Sequence, residues 1–174
     1  TAKTDSASCR LKALNPAVEI TTATERLTPD NALALLEKCD LAVDASDNYA
    51  ARFALADACA ALRIPLVHGA VKGFIGQATV FAPHEGTACY RCLFPEETPM
   101  QEEDTASAAG ILGAHAGIIG CIQALEALKA LAGIPSPLRG GLLSADTLRM
   151  RFTVIPLHPS PTCKCRNGGE EEPQ

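Results

Sequence analysis

The chain has 174 residues, enough for one domain with a sizeable core, and its 47% hydrophobic content is typical of a globular protein. Its net charge of −5 argues against nucleic acid or an anionic membrane as the main partner. Gly, Gln and Glu interrupt the longest apolar stretches, so no membrane-spanning helix is predicted. Residues 1–12 are polar and charged, unlike a signal peptide, and eight cysteines without one indicate a reducing compartment, the cytoplasm.

The first part of the chain alternates helical and strand patterns. Pro16 ends the first helical pattern and Pro29 begins the second. Helices are predicted over 2–14, 29–38 and 48–62, and strands over 18–24, 41–45 and 64–70. This order is typical of a parallel sheet with right-handed crossovers. No strand with a Gly-rich turn precedes the first helix, so we interpret the chain as the later part of a longer protein.

The second part of the chain has a different pattern. Glycines punctuate the β segment 73–81, which is expected to run antiparallel to the preceding strands. Residues 96–108 are acidic, lack apolar periodicity and are expected to form a mobile crossover loop. The elements predicted beyond it are a long helix over 109–132 and hairpin strands over 140–146 and 149–157. We therefore expect an α/β domain over 1–166, with a Rossmann-like, mostly parallel sheet, flanking helices and added antiparallel strands, and a disordered tail over 167–174.

The first candidate site lies in the stretch 41–52. A short apolar run there breaks into small polar residues at Asp44, immediately before a helical pattern. Such a strand end lies at the carboxyl edge of a sheet, where open α/β sheets bind ligands, so Asp47 is placed to hold a metal ion or reach a phosphate. Arg52, about one helical turn further on, could face the same crevice. The alternative is that Ser46 or Asp47 only caps the helix.

Two pairs of closely spaced cysteines form the second candidate site. Cys89-x-x-Cys92 is a chelating spacing, because both thiolates can converge on one tetrahedral ion. Together with Cys163-x-Cys165 it predicts one structural Cys₄ zinc site, although the second spacing is less common for zinc. Free or disulfide-forming thiols are the alternative. A redox role for the first pair is disfavoured because the pair is expected in a loop where no helix begins.

Several other residues have side chains that could bind a ligand or react, but they are harder to interpret from the sequence. Lys3, near the start of the first helix, is either a solvated surface lysine or a phosphate-binding cation. His68 at a strand end and His115 in the long helix are interpreted as structural histidines. The remaining cysteines fall on helix ends or apolar helix faces and are expected in the core: Cys9, Cys39, Cys59 and Cys121.

An ordered series of short motifs runs through nearly the whole chain, from Lys3 to Cys165. The motifs are Leu14-Asn15-Pro16, Asp44-Ala-Ser-Asp-Asn48 with Arg52, Pro65-Leu-Val, Gly76-Gln77, Cys89-Tyr-Arg-Cys-Leu-Phe-Pro95, Ala109-Gly-Ile-Leu-Gly113, Gly117-Ile-Ile-Gly120 and Gln123-Ala-Leu-Glu-Ala-Leu-Lys129. Each motif alone is weak, but the order of the series is specific. Through this ordered series of motifs the chain resembles the ThiF/MoeB/HesA family of ubiquitin-activating-enzyme-like (E1-like) adenylyltransferases, which serve sulfur transfer in thiamine and molybdopterin synthesis.

This resemblance implies a function and a set of site residues. Such proteins bind Mg-ATP at the carboxyl edge of the sheet and adenylate the C-terminal glycine of a small ubiquitin-like sulfur carrier (ThiS/MoaD type). The family is usually homodimeric, and an arginine from the partner completes the ATP site. The resemblance implies that Lys3 contacts the phosphates and that Asp47 is the metal- and phosphate-facing acid, with Asn48 and Arg52 beside it. It implies zinc ligation by Cys89, Cys92, Cys163 and Cys165.

Two departures from the family pattern limit what the resemblance implies. The Gly-rich loop and the ribose-binding acid that the family places before Lys3 have no counterpart, so the chain alone is expected to be incomplete for activity. Thr105, Ala106 and Ser107 stand where many members carry a cysteine, so adenylation without a covalent cysteine step is expected. The main alternative is a non-catalytic, zinc-stabilised module that binds the carrier or a partner protomer. An NAD-dependent oxidoreductase would fit the β-α-β pattern but not the cysteine pairs.

Overall fold

A computed structural model of the chain describes residues 2–95, 110–163 and 165. Within them the chain folds into helices on both sides of one sheet. The helices are α1 (Lys3–Leu14), α2 (Pro29–Leu36), α3 (Tyr49–Leu62), the short α4 (Tyr90–Leu93) and α5 (Gly113–Leu131). The strands are β1 (Ala42–Asp44), β2 (Leu66–Lys72), β3 (Ile75–Phe81), β4 (Gly141–Asp146) and β5 (Arg151–Pro156). The predicted loop at 96–108 and the predicted tail at 167–174 lie outside the described residues.

The sheet has the strand order β1-β2-β3-β4-β5. The strands β1 and β2 are parallel and are joined by α3, which is the β-α-β unit that the sequence predicts. The pairs β2–β3, β3–β4 and β4–β5 are antiparallel. The predicted fold class, an α/β domain with flanking helices whose sheet continues into antiparallel strands, is therefore confirmed. The sheet is mixed rather than mostly parallel, because one strand pair among the described residues is parallel and three are antiparallel.

Both ends of helix α3 are defined by features of the residues next to them. The Asn48 side chain accepts a 2.9 Å hydrogen bond from the Ala51 backbone N–H, which satisfies one of the unpaired donors in the first turn. At the other end Arg63 adopts a left-handed conformation with φ 56°, as C-terminal residues of helices often do. The predicted start at residue 48 and end at residue 62 are therefore correct to within one residue.

The predicted strand at 18–24 is wrong. These residues have no partner strand among the described residues, and all but one of them are exposed. The alternation of apolar and polar residues predicts two different faces, but a strand also needs a hydrogen-bonded neighbour. The pattern alone could not supply that neighbour.

Two apolar layers cover the two faces of the sheet. On one face, α3 and α4 pack against Leu66 and Phe81, with Leu55 and Tyr90 in the same cluster. On the other face, α5 packs against β2 and β3 around Val67 and two further buried valine and alanine side chains. Within the described residues no helix is both long enough and apolar enough to cross a membrane.

Gly69 on β2 is required by the close approach of α5, and its replacement tests this packing. A Cβ at this position would lie 2.4 Å from Cδ of Gln123, whose amide donates a 2.7 Å hydrogen bond to the Asp44 carbonyl. We expect Gly69→Ala to lower the free energy of unfolding by about 1–3 kcal/mol, measured by urea denaturation, because Gln123 must leave its buried partners.

Gly117→Ala is the matched control for this substitution. Gly117 lies on the exposed side of α5, and a Cβ there meets nothing within 4 Å. We expect this variant to gain about 0.5–1 kcal/mol, since alanine has the higher helix propensity. Equal stability of the two variants would contradict the proposed close contact between Gly69 and α5.

Candidate functional site

The turn after β1 is held together by Asp44, the last residue of that strand. One carboxylate oxygen, Oδ1, accepts hydrogen bonds from the Ser46 backbone N–H at 2.8 Å and from the Ser46 hydroxyl at 2.6 Å. Arg52 donates from its guanidinium to the Ser46 carbonyl at 2.8 Å. Asn48 caps α3, so the interpretation of Ser46 or Asp47 as the cap is wrong. Asp47 is exposed at the tip of this turn.

Asp47 and Arg52 form the wall between two adjacent crevices at the carboxyl end of β1 and β2. The first crevice, of about 220 Å³, is also lined by Tyr49, Gln77 and Phe94. The second crevice, of about 260 Å³, extends toward α5 and is lined there by Ala116, Ile119, Gly120 and Gln123. The position agrees with the rule that open α/β sheets bind ligands outside the carboxyl ends of their strands. The predicted acid and cation therefore line the same two crevices.

A buried polar network lies directly behind this wall. Asp44 and His68 are paired across β1 and β2, and Nδ1 of His68 lies 2.7 Å from Oδ2 of Asp44. The other ring nitrogen, Nε2, lies 3.3 Å from the amide nitrogen of Gln77. Arg52 approaches the same carboxylate with Nε at 3.7 Å from Oδ2. Sequence reasoning assigned His68 no role, because its partner is 24 positions away and only strand pairing brings the two together.

Asp44 stays ionised despite being buried. Burial disfavours the carboxylate, but hydrogen bonds from His68 and Ser46 outweigh it, and the pKa of Asp44 is lowered from its usual value. A lowered pKa in the folded state stabilises the fold above the unfolded pKa of about 3.9, and this stability is lost as the pH falls through the folded pKa.

The pH dependence of stability checks this assignment. We expect Asp44→Asn to lower the free energy of unfolding at pH 7 by about 1–3 kcal/mol, because the charged partner of buried donors is lost. The same variant should lose less stability than the parent chain between pH 5 and roughly pH 3. Urea denaturation across this range provides the measurement. Asp40→Asn, at the exposed position before β1, is the control. If Asp44→Asn lost as much stability as the parent chain between pH 5 and roughly pH 3, the prediction would be contradicted.

Lys3 does not join the other predicted residues in the structure. It is exposed on α1, a helix that buries none of its residues, and it lines neither crevice. Asn48 lies next to Asp47, and its amide nitrogen is 3.4 Å from the Asp47 carboxylate. The roles of Lys3, Asp47, Asn48 and Arg52 toward a nucleotide remain predictions.

The two cysteine pairs come together although they are far apart in the chain. The sulfur of Cys89 lies 3.6 Å from that of Cys92 and 3.5 Å from that of Cys163. Those of Cys89, Cys163 and Cys165 all lie within 4.8 Å of one another. A tetrahedral zinc–thiolate site with Zn–S bonds of about 2.3 Å has sulfur–sulfur edges of about 3.8 Å. The cysteines are free thiols rather than disulfides. The spacing of Cys89, Cys163 and Cys165 suits one metal ion, and Cys92 contacts Cys89 but lies outside this mutually close group.

The protonation of these thiols reflects their crowding. Contact with Cys165 and burial raise the pKa of Cys89. Burial and the neighbouring thiols raise the pKa of Cys163 to about 12. The pKa of Cys165 is lowered, because Cys89 donates to its sulfur. Several thiolates cannot accumulate here without a compensating cation, and a bound metal ion would supply that charge.

The local structure of the first cysteine pair differs from the prediction. Cys89 is the extended N-cap of α4, which begins at Tyr90, so the pair is not in a helix-free loop. The argument that excluded a redox role by the absence of a helix is therefore wrong. What favours a metal over a redox pair is that the second cysteine pair approaches the same point.

The remaining cysteines divide differently from the prediction. Cys59 is buried, as expected, but Cys9, Cys39 and Cys121 are exposed, so the prediction of core positions for these three is wrong. Each lies on or just after a helix, and an apolar neighbourhood in the sequence does not reveal which helix face packs against the sheet.

Helix α4 connects the thiol cluster to the rest of the molecule. Arg91, between the two cysteines, makes a two-pronged ion pair with Asp57 of α3, with distances of 2.9 and 2.6 Å. Tyr90 points into the core, where its ring contacts Phe53 at 5.1 Å and His68 at 5.3 Å between centroids. Helix α4 thus joins the thiol cluster to α3 and to the buried His68.

Taken together, the fold and site define an α/β protein with two crevices at the carboxyl edge of its parallel strands and a cluster of cysteines at its side. The sequence model of the ThiF family matches residues 1–167, and the chain belongs to that family. The family resemblance stated from the motifs is therefore confirmed.

Curated relatives of this chain carry related names. The chain is 42% identical over 162 residues to "Adenylyltransferase and sulfurtransferase MOCS3-2" of Zea mays, covering 92% of this chain and 33% of that protein. It is 41% identical over 170 residues to "SAMP-activating enzyme E1" of Haloferax volcanii, covering 97% and 62%. It is 42% identical over 160 residues to "Sulfur carrier protein adenylyltransferase" of Thermus thermophilus, covering 88% and 58%. The chain thus spans less than two thirds of each relative.

Solved structures share the fold at low sequence identity. The crystal structure of Escherichia coli MccB with ATP superposes with a TM-score of 0.75 at 14% identity, covering 94% of this chain and 51% of that one. The structure of PaaA superposes with a TM-score of 0.67 at 13% identity, covering 90% and 48%. These matches support the fold.

Proposed function

We propose that the protein to which this chain belongs is an ATP-dependent adenylyltransferase that activates the C-terminal glycine of a ubiquitin-like sulfur-carrier protein. The observation that carries the proposal is that Asp47 and Arg52 both line the two crevices at the carboxyl edge of the sheet. The names of the relatives support both the reaction and the carrier. The two crevices suit two reactants that must meet, the nucleotide and the carrier tail.

The reaction joins two anions, and the site residues are suited to that problem. The carrier carboxylate attacks the α-phosphorus of ATP, a bond to that phosphorus forms, and the bond to the leaving pyrophosphate breaks. Arg52 would offset the negative charge of the phosphates, and Asp47, beside Asn48, would hold Mg²⁺. The proposed contact of Lys3 with the phosphates rests on the family resemblance alone, because Lys3 lines neither crevice. When bound, Mg²⁺ supplies further charge compensation at the phosphate oxygens. No step through a cysteine is proposed, and residues 105–107 lie outside the described residues.

We assign the thiol cluster a structural zinc ion held by Cys89, Cys92, Cys163 and Cys165. The fit of the sulfur spacings to a tetrahedral site supports this assignment. The ion would tie α4 to the segment after β5 and takes no part in the chemical step. We further propose a homodimer in the cytoplasm, with residues 1–166 as part of the adenylation domain.

The test is ATP–pyrophosphate exchange by the full-length protein with a carrier that ends in Gly-Gly. Exchange that depends on this carrier, and that is absent with a carrier lacking its last glycine, is the expected result. The competing function is that of a non-catalytic binding module. All six residues of β5 are exposed, and a protein could dock on this strand. Carrier binding in calorimetry without any exchange would overturn the proposed enzyme in favour of that module.

A further inference from the structure

His68 is enclosed in the core immediately behind the candidate site. None of its surface is exposed, and its ring is surrounded by those of Phe81, Tyr90 and Phe94 at centroid distances of 5.9, 5.3 and 6.2 Å. A polar ring in such a place needs partners for both nitrogens. Within the described part of the chain those partners are Asp44 and Gln77.

The two contacts define one tautomer of the imidazole. Asp44 is ionised and can only accept, so Nδ1 of His68 carries a proton and donates over 2.7 Å. The amide nitrogen of Gln77 donates, so Nε2 accepts over 3.3 Å. The arrangement is that of a neutral ring protonated on Nδ1. It also leaves the Gln77 carbonyl oxygen without a hydrogen bond from any described residue, in a side chain that lines the first crevice.

The ring thus connects the two sides of the first crevice. Through Asp44 it supports the turn that carries Asp47, since Asp44 binds Ser46 twice and lies beside Arg52. Through Nε2 it contacts the amide of Gln77 on β3, which lines the same crevice as Asp47. Both partners of the ring belong to the candidate site, because Asp44 holds the turn before Asp47 and Gln77 lines the first crevice.

We propose that His68 is a positioning residue of the site: it directs the Gln77 carbonyl into the crevice as an acceptor for a hydrogen-bond donor of the bound reactants and holds the Asp47 turn at a set distance from it. This inference rests on the proposed adenylation. The donor is either a peptide N–H of the carrier tail or a hydroxyl or amino group of ATP. Separate KM values for carrier and for ATP distinguish these two sources.

Two amide substitutions separate the two contacts of the ring. His68→Asn places an amide near the Nδ1 position, within reach of Asp44 but not of Gln77. His68→Gln places an amide near the Nε2 position, within reach of Gln77 but not of Asp44. We expect His68→Asn to raise the KM of one reactant about tenfold with kcat nearly unchanged, and His68→Gln to lower kcat about tenfold. His158→Asn, at an exposed position after β5, is the control.

A double substitution tests whether His68 acts through Gln77. Gln77→Ala alone should reproduce the KM effect of His68→Asn, and adding it to His68→Asn should change KM by less than about twofold, because the contact is already lost. Independent, multiplying effects would overturn the proposal, as would wild-type kinetics in His68→Asn. A purely structural role would lower thermal stability in all variants without this pattern in KM.

A spectroscopic readout separates this inference from the proposed function. Nitrogen NMR of the His68 ring should report the Nδ1–H tautomer, with an Nε2 shift that changes in Gln77→Ala. The opposite tautomer would overturn the inference even in an active enzyme. If the wild-type protein shows no exchange, the proposed adenylation fails, and calorimetric binding of ATP and of the carrier to the same variants decides the role of His68. A wild-type protein that binds neither reactant would overturn both proposals.

Discussion

Asp47→Asn should lower ATP–pyrophosphate exchange by about two to three orders of magnitude while leaving the fold intact. The side chain is exposed at the tip of a turn whose hydrogen bonds are made by Asp44, Ser46 and Arg52, so its charge is not needed for folding. If Asp47 holds Mg²⁺ beside the phosphates, removal of the charge leaves the developing negative charge uncompensated. Exchange rates and thermal unfolding, measured on the full-length protein, report the two properties separately.

Asp40→Asn is the matched control for this experiment. Asp40 is exposed just before the other end of β1, so the substitution makes the same change in charge far from the crevices. We expect its exchange rate to stay within about twofold of the wild type. Equal rates in Asp47→Asn and Asp40→Asn would remove Asp47 from the site, whereas loss of the fold in Asp47→Asn would show that the turn depends on its charge.

Cys92→Ser should abolish metal binding and lower the free energy of unfolding by about 3–5 kcal/mol, or about 10 °C in Tm. The cluster joins segments that are 74 positions apart, between Cys89 and Cys163, so the ion would tie the region after β5 to α4. A serine oxygen is a poor replacement for a thiolate ligand of zinc. Metal analysis of the purified protein should find about one zinc per chain in the wild type and almost none in the variant.

Cys121→Ser provides the control for the metal experiment. This cysteine is exposed on α5 and belongs to no thiol cluster among the described residues, so zinc content and Tm should not change. A wild-type protein free of zinc would contradict the assignment. So would the same loss of stability in both variants, because a general sensitivity to loss of a thiol would then explain the result.

The sequence predicted features that depend on neighbours along the chain. The change from apolar residues to small polar ones after Val43, followed by an alanine-rich pattern, predicted β1, the turn and α3, and Asn48 and Arg63 then decide the ends of that helix. The x-x spacing of Cys89 and Cys92 predicted a chelating pair, because it brings the thiols together almost independently of the rest of the fold.

Features that depend on a distant partner were missed or wrongly predicted. The segment 18–24 has the alternation of a strand but finds no described neighbour, so it does not become one. Cys9, Cys39 and Cys121 lie in apolar surroundings in the sequence, but the faces they occupy are not covered. Both failures have one physical cause, which is that pairing and burial are properties of two elements and a sequence pattern describes only one.

The stretch 41–52 contains both features that a local sequence pattern predicts and features that depend on contacts with other elements. The local pattern was enough to predict that Asp47 and Arg52 follow a buried strand and lie near the edge of a sheet. The choice of Asn48 as the cap among several polar residues is visible in the structure, although the contact is local. The burial of Asp44 against His68 depends on a tertiary contact, which no local pattern reveals. The change from apolar to small polar residues that predicts the turn is local. The partner that keeps Asp44 ionised lies on the neighbouring strand, because the register of β1 and β2 places His68 opposite Asp44.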